Sequence, residues 1–360
     1  VDYQEKLQSI DTRRFKDRLR TAMQAHYPGH QNLDMDNMAN TCASRALAIW
    51  RQAITPDLNI PEQREFERHL PEVKMRAGIS IPRIFLFGYA FGLACHYLVG
   101  GEEKSRPEIG ATSGLYMFIL GMFDHLMDDY PEFFGDLGRS FSGEAIENYV
   151  FNEAYGDLAR YASNPLAKGL AGLYRVYFQR CHRLVPQGDA EIITSWSEEL
   201  KRMHRVEAES VDRRISSVEP DASIAEHALQ PSLSAFRVLA MSASLEQPAF
   251  QNASLEQFAE AYATLSWLVD DVSDIQKDLD ADIWSGLAVR LATEAEDQSA
   301  ADRLIDSIAD DASAYLCQMH ELLKDCKWQA EDAFSIADVL WYVIWAWCGG
   351  VTEARASAVA

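Results

Sequence analysis

Apolar residues recur at three- and four-residue intervals along almost the whole chain, and runs of strict apolar/polar alternation are absent. That period marks helices with one buried face, and no stretch has the turn chemistry of a β-hairpin. The pattern predicts helices over residues 4–25, 36–53, 61–77, 81–99, 110–129, 142–162, 165–184, 189–215, 222–245, 254–281, 299–323 and 334–348. The breaks fall on turn-forming sequence, among them Thr55-Pro56, Gly100-Gly101, Pro131, Pro186-Gln187-Gly188, Glu219-Pro220 and Pro248. Leu279 to Ala301 is polar around Gly286 and reads as a loop that orders on binding. No Ser/Gly/Pro-rich linker and no internal repeat divides the chain. The expectation is an all-α single domain over residues 1–360, with residues 1–60 as peripheral N-terminal helices.

Composition narrows the function more than the fold. With 48% hydrophobic residues the chain can bury a large core. A net charge of −22 leaves no basic stripe to neutralise phosphates, which excludes nucleic acid and disfavours anionic lipid as partners. The most apolar run, Ile79 to Gly100, carries Arg83 and His96 and several glycines, so it reads as a core helix and not a membrane span. Six cysteines without a C-x-x-C pair fit buried thiols in a reducing compartment, and the expected location is cytoplasmic.

Two acidic clusters stand out against that background. In LSWLVDDVSDIQKDLD, the carboxylates of Asp270, Asp274 and Asp278 lie one above another on a helix, with Lys277 among them. Like charges at this spacing destabilise a helix by about 0.2–0.5 kcal/mol per pair, so water or a cation must attend them. The helices of 222–245 and 254–281 are apolar around much of their circumference and belong at a bundle's centre. In SGLYMFILGMFDHLMDDYPEFF, Asp124 and Asp128 share a face and Asp129 adjoins them. Pro131 puts Asp128 and Asp129 in the last helical turn, where the macrodipole disfavours carboxylates. Each cluster taken alone could be a solvated face or a set of turn caps. Both end an apolar stripe, and two such ends suit hard cations such as Mg²⁺ gathered around a diphosphate.

At this point the sequence resembles the class I isoprenoid (terpenoid) synthases, terpene cyclases in particular. Asp124-His125-Leu126-Met127-Asp128 is similar to the family's first motif, D-D-x-x-D, with His125 in the second place. Asp270-Asp271-Val272-Ser273-Asp274 resembles the same motif as prenyltransferases repeat it, and Asp270, Asp274 and Asp278 match the spacing of the cyclase N-D-x-x-S-x-x-x-E triad. The resemblance implies a bundle of about 10–12 helices around a central apolar cavity. It further implies Mg²⁺, three ions in all, held by Asp124, Asp128, Asp129, Asp270, Asp274 and Asp278. The substrate it implies is a C15 or C20 prenyl diphosphate, ionised to a carbocation with release of pyrophosphate to give a terpene hydrocarbon or alcohol. Arg237 and Lys277 are the candidate diphosphate-binding cations. Phe123, Tyr116, Trp267 and Trp341, with Tyr89, Phe118, Tyr342 and Trp345, are candidates to line the well.

The alternatives are a chain-elongating trans-prenyltransferase and a non-catalytic helical scaffold. The elongator's early G-G-K-x-x-R-P motif has no counterpart in NMANTCASRALAIWRQ, and Ser232 to Arg237 replaces its Lys-Thr. A carboxylate-bridged di-iron bundle would need Glu-x-x-His pairs, and the sequence contains none. Glu198 to Arg214 reads as a mixed-charge, mainly solvated helix. Oligomeric state stays open, with a homodimer among the options.

Overall fold

The computed structural model describes residues 16–21, 35–58, 81–129, 138–155, 165–186, 189–210, 215, 219–246, 252–326 and 335–347. Among these no β-strand occurs, and short helical stretches at 16–21 and 138–140 accompany the longer α-helices. They are α1 (Met35–Ile49), α2 (Ile81–Leu98), α3 (Arg106–Asp129), α4 (Gly143–Asn152), α5 (Pro165–Leu184) and α6 (Ala190–Ser210). Then come α7 (Ala222–Ser244), α8 (Ala253–Asp280), α9 (Gly286–Glu294), α10 (Gln298–Leu323) and α11 (Ile336–Trp345). The protein is all-α, as the periodicity predicts. None of these helices is long and apolar enough to cross a membrane.

Helix starts are set by local chemistry. Ser142, Asp221, Asn252, Ser285 and Asp297 each accept a backbone N–H of the first turn they precede. Ser335 and Asp338 cap α11 reciprocally. Arg106-Pro107 opens α3 earlier than predicted, because proline fits a helix's first turn. The helix predicted over 142–162 ends at Asn152, where Glu153 turns left-handed at φ 52°. α1 runs into a π-helical turn at Trp50–Ile54. The helix predicted over 61–77 lies outside the described residues.

The largest correction concerns 279–301, expected as a loop. It contains α9, which buries Leu287, Ala288, Val289, Leu291 and Ala292. Its apolar positions repeat at helical spacing, but polar residues on both sides hide them in a longer window.

The bundle is built around two close contacts. α2 and α3 pack backbone against backbone: a Cβ at Gly88 would sit 2.4 Å from Met117 Cβ, and one at Gly92 would sit 2.2 Å from Ser113 Oγ. Glycine at these places lets the helices approach, and that approach fixes the position of the Asp124 end of α3. α7 lies at the centre, touching α2, α3, α6, α8 and α9. Its Phe236 packs on Phe91 at 5.0 Å and Tyr262 at 5.5 Å between ring centres. The described cysteines are free thiols, and all but Cys317 are buried.

The segment carrying α1 is embedded in this core. Trp50 meets Phe118 at 5.1 Å and Phe85 at 5.5 Å, edge to face. Nearby, Arg180 of α5 is only 3% exposed and is held by Asp57 at 2.8 Å and Glu108 at 2.7 Å. It also donates to the Ala53 carbonyl at 2.8 Å and to Thr112 Oγ1 at 3.2 Å. Removing a buried cation from such a set strands its carboxylates, a loss of about 3–5 kcal/mol when they too are buried. Asp57 and Glu108 keep about a third of their surface in water. Arg180→Met is therefore expected to lower unfolding free energy in urea by about 3 kcal/mol. A loss below about 1 kcal/mol would show that the cluster is only a surface ion pair.

Candidate active site

α3 and α8 carry the two acidic clusters, and the electrostatics of Asp270 report how they are arranged. Asp270 reaches solvent, yet protein crowds it from all sides at longer range. Its carboxyl is pushed well above the ordinary carboxylate range, first by lost solvation and then by the charges of Asp274, Asp124, Asp271 and Asp278, in that order. Asp124 belongs to a different helix, yet its charge weighs on Asp270 more than that of Asp271, the chain neighbour. Asp124 and Asp270 therefore lie within reach of one another's charge.

The remaining residues divide into those near this meeting point and those turned elsewhere. Asp124 is exposed at the end of α3. Asp128 and Asp129 continue that helix, but their side chains lie outside the described residues. Asp274 is half-exposed with Lys277 Nζ 3.9 Å away, and Asp278 is partly exposed one turn on. The ladder thus opens to water and is not buried in the core. Arg237 is exposed on α7 between buried Phe236 and Val238.

Asp271 does something different. A step of about 100° along the helix turns it away from Asp270. It is buried and accepts the Leu287 backbone N–H at 2.7 Å, so it holds the first turn of α9. Trp267, one turn before it, lies against Gly286, where a Cβ would come within 2.2 Å of its ring. Trp267 and Asp271 also edge a water-sized hollow with Leu287, Arg290 and Ile308. Trp267 therefore packs on the α9 side of α8.

The aromatic candidates are likewise split. Phe118 packs with Trp50, Tyr89 lies beside Phe85 at 6.1 Å, and Trp341 stacks on Trp345 at 5.9 Å. Phe123 and Tyr116 instead enter a second aromatic cluster beneath the Asp124 end of α3. Phe123 meets Phe141 at 5.5 Å and the His204 ring at 5.1 Å, and Tyr116 lies 4.7 Å from Tyr177.

His204, Phe141, Tyr174 and Tyr177 of this cluster were not legible as site residues. α6 reads as a mixed-charge, solvated helix, but Leu200, Met203 and His204 are buried. Their spacing is a one-face helical signal that the surrounding charges obscure. Burial pushes the His204 pKa down to about 3, so the imidazole is neutral near neutral pH.

Among the described residues, no three His, Cys, Asp or Glu side chains form a ready-made metal cage. Carboxylates that reach water and lie within range of one another's charge suit a different kind of site. Mg²⁺ keeps most of its waters and binds through one or two carboxylates, with substrate phosphates completing the shell. The carboxyl of Asp270 is raised first by lost solvation and then by the neighbouring carboxylates, both of which a bound cation would offset.

No protein-family model matches this sequence, and no curated protein matches it. Among solved structures the chain is similar to a linalool/nerolidol synthase from Streptomyces clavuligerus, with 11% sequence identity. The alignment covers 81% of this chain and 96% of that one, at a TM-score of 0.41. A likeness at this level decides nothing about chemistry.

Proposed function

We propose that the protein is a Mg²⁺-dependent class I terpene synthase, ionising an acyclic C15 or C20 prenyl diphosphate. The observation that supports this reading most is the charge of Asp124 bearing on Asp270 across two helices. Asp124, Asp128 and Asp129 on one side, and Asp270, Asp274 and Asp278 on the other, would hold the ions. Bound Mg²⁺ supplies Lewis-acid charge that stabilises the departing diphosphate.

The chain's own residues do the rest. Facing carboxylates repel one another when no cation is present, so their electrostatic energy falls most when several cations and a diphosphate fill the gap. Lys277, beside Asp274, and Arg237, on the helix between α3 and α8, are the side chains offered to the diphosphate oxygens. Aromatic faces below, those of Phe123 and Tyr116 first, attract a carbocation by about 0.5–2 kcal/mol each and keep bulk water from it. Asp271 keeps α9 in place behind the second cluster and takes no part in holding the ions.

With Mg²⁺ present, the purified protein is expected to release pyrophosphate from farnesyl or geranylgeranyl diphosphate supplied alone. The products seen by gas chromatography–mass spectrometry should be hydrocarbons or alcohols, and EDTA should stop turnover. Product formed only when isopentenyl diphosphate is added would identify a chain elongator instead. Absence of release from any prenyl diphosphate would leave the scaffold reading.

A further inference from the structure

The aromatic cluster beneath Asp124 contains more unsatisfied polar atoms than packing explains. Tyr116 and Tyr174 are fully buried, and His204 is 5% exposed. Both phenolic oxygens and both ring nitrogens of His204 find no hydrogen-bond partner. An orphaned buried polar group costs about 1–3 kcal/mol, so four in one place is a large penalty for a core to carry.

Tyr177, in the same cluster, shows the contrast. It lies 2.6 Å from Ser242 Oγ and accepts the Trp196 indole N–H at 3.2 Å. The fold can therefore satisfy a buried phenol here, and it leaves these others open.

The open groups are neighbours. Tyr116 lies 4.7 Å from Tyr177, and Tyr177 and Tyr174 pack on the same Phe178 ring at 5.5 and 6.2 Å. The Tyr174 ring lies 5.9 Å from that of His204, which in turn stacks on Phe141 at 4.5 Å and meets Phe123 edge-on. Phe123 directly precedes Asp124. The group thus forms a polar spot within the buried aromatic cluster that adjoins the Asp124 end of α3. Four hydrogen-bonding atoms with two to four needed per water suit one or two bound waters.

Resting on the ionisation reading above, we propose that Tyr116, Tyr174 and His204 hold a water that traps the carbocation, making the product a terpene alcohol. The water oxygen forms a C–O bond to the cationic carbon. One of its O–H bonds then breaks, and the proton passes to a His204 ring nitrogen and onward to the released pyrophosphate. A neutral imidazole can accept that proton, whereas an imidazolium could not. The two tyrosine hydroxyls position the water and touch no reacting carbon.

The test uses the full chain with Mg²⁺ and geranyl, farnesyl and geranylgeranyl diphosphate in turn, in H₂¹⁸O. The wild type is expected to give ¹⁸O-labelled alcohol as its main product. Tyr174→Phe removes one oxygen, and His204→Phe keeps a ring at that place. Each should leave pyrophosphate release within about twofold of wild type while shifting product toward olefin by about fivefold or more. A variant damaged only in its folding would lose release and alcohol together. Olefin as the sole wild-type product, or an unchanged alcohol fraction in a variant that still turns over, would overturn the water-trapping assignment and leave the ionisation reading intact. If no substrate releases pyrophosphate from the wild type, both fall.

Discussion

Asp270→Asn is expected to reduce turnover by about 100- to 1,000-fold, the size of losing one preorganised contact to a developing anion. It should also make the metal-free protein more stable. The carboxyl of Asp270 is raised in the folded state, so the folded protein binds its proton more tightly than the unfolded chain does. Stability therefore falls as pH rises above the ordinary carboxylate range, and the loss is complete only once Asp270 ionises in the folded protein. An uncharged amide of the same shape removes it. Thermal unfolding in EDTA should thus show a melting temperature for Asp270→Asn that exceeds the wild type's by a margin growing as pH is raised. The wild type should gain stability on adding Mg²⁺, and the variant should gain less. Asp271→Asn supplies the contrast, because its carboxylate ties α9 down through Leu287: a loss of stability is expected there. A variant at Asp270 with unchanged turnover, or with lower stability in EDTA, would remove that residue from the ion-holding set.

The second large effect concerns acid. His204 folds as a neutral ring with a pKa of about 3, whereas in the unfolded chain it titrates near 6.5. Between those values the unfolded state holds the extra proton, so stability falls as pH falls, by about 1.4 kcal/mol per pH unit. The full window amounts to about 4–5 kcal/mol. Many groups bend the stability curve of a chain this acidic, but His204→Phe isolates one of them. Urea unfolding at pH 7.5 and at pH 5 should give wild-type and variant curves that run parallel above about pH 6.5 and diverge below it, the wild type losing more. Parallel curves throughout would mean that the imidazole is protonated in the folded state.

What could be read from the sequence was what depends on one helix at a time. Apolar spacing located most of the helices, and the i, i+4 carboxylates identified the ends of α3 and α8 as chemically unusual. What could not be read depends on neighbours. Asp270 and Asp271 differ by one position and share the D-D-x-x-D pattern, yet one feels the charge of Asp124 and the other holds α9. That split follows from where α9 sits, and α9 itself was masked by its polar flanks. Likewise His204 had only its own helix to be judged by, and that helix is charged on most sides. Its burial comes from Phe123, Phe141 and Tyr174, which approach it from three other parts of the chain.

The anchoring of Arg180 bears on how shortened versions of this protein should be cut. A trimmed chain starting after residue 58 would delete Trp50 from its slot between Phe85 and Phe118, and take Asp57 and the Ala53 carbonyl from the guanidinium. Glu108 would be left to balance Arg180, at the opposite end of the helix that carries Asp124. Such a deletion would loosen the acidic end of α3 from about 16 residues away along the helix, at about 1.5 Å per residue. Residues 35–58 are thus a keystone of the bundle, and trimming aimed at crystals or soluble expression should leave them whole.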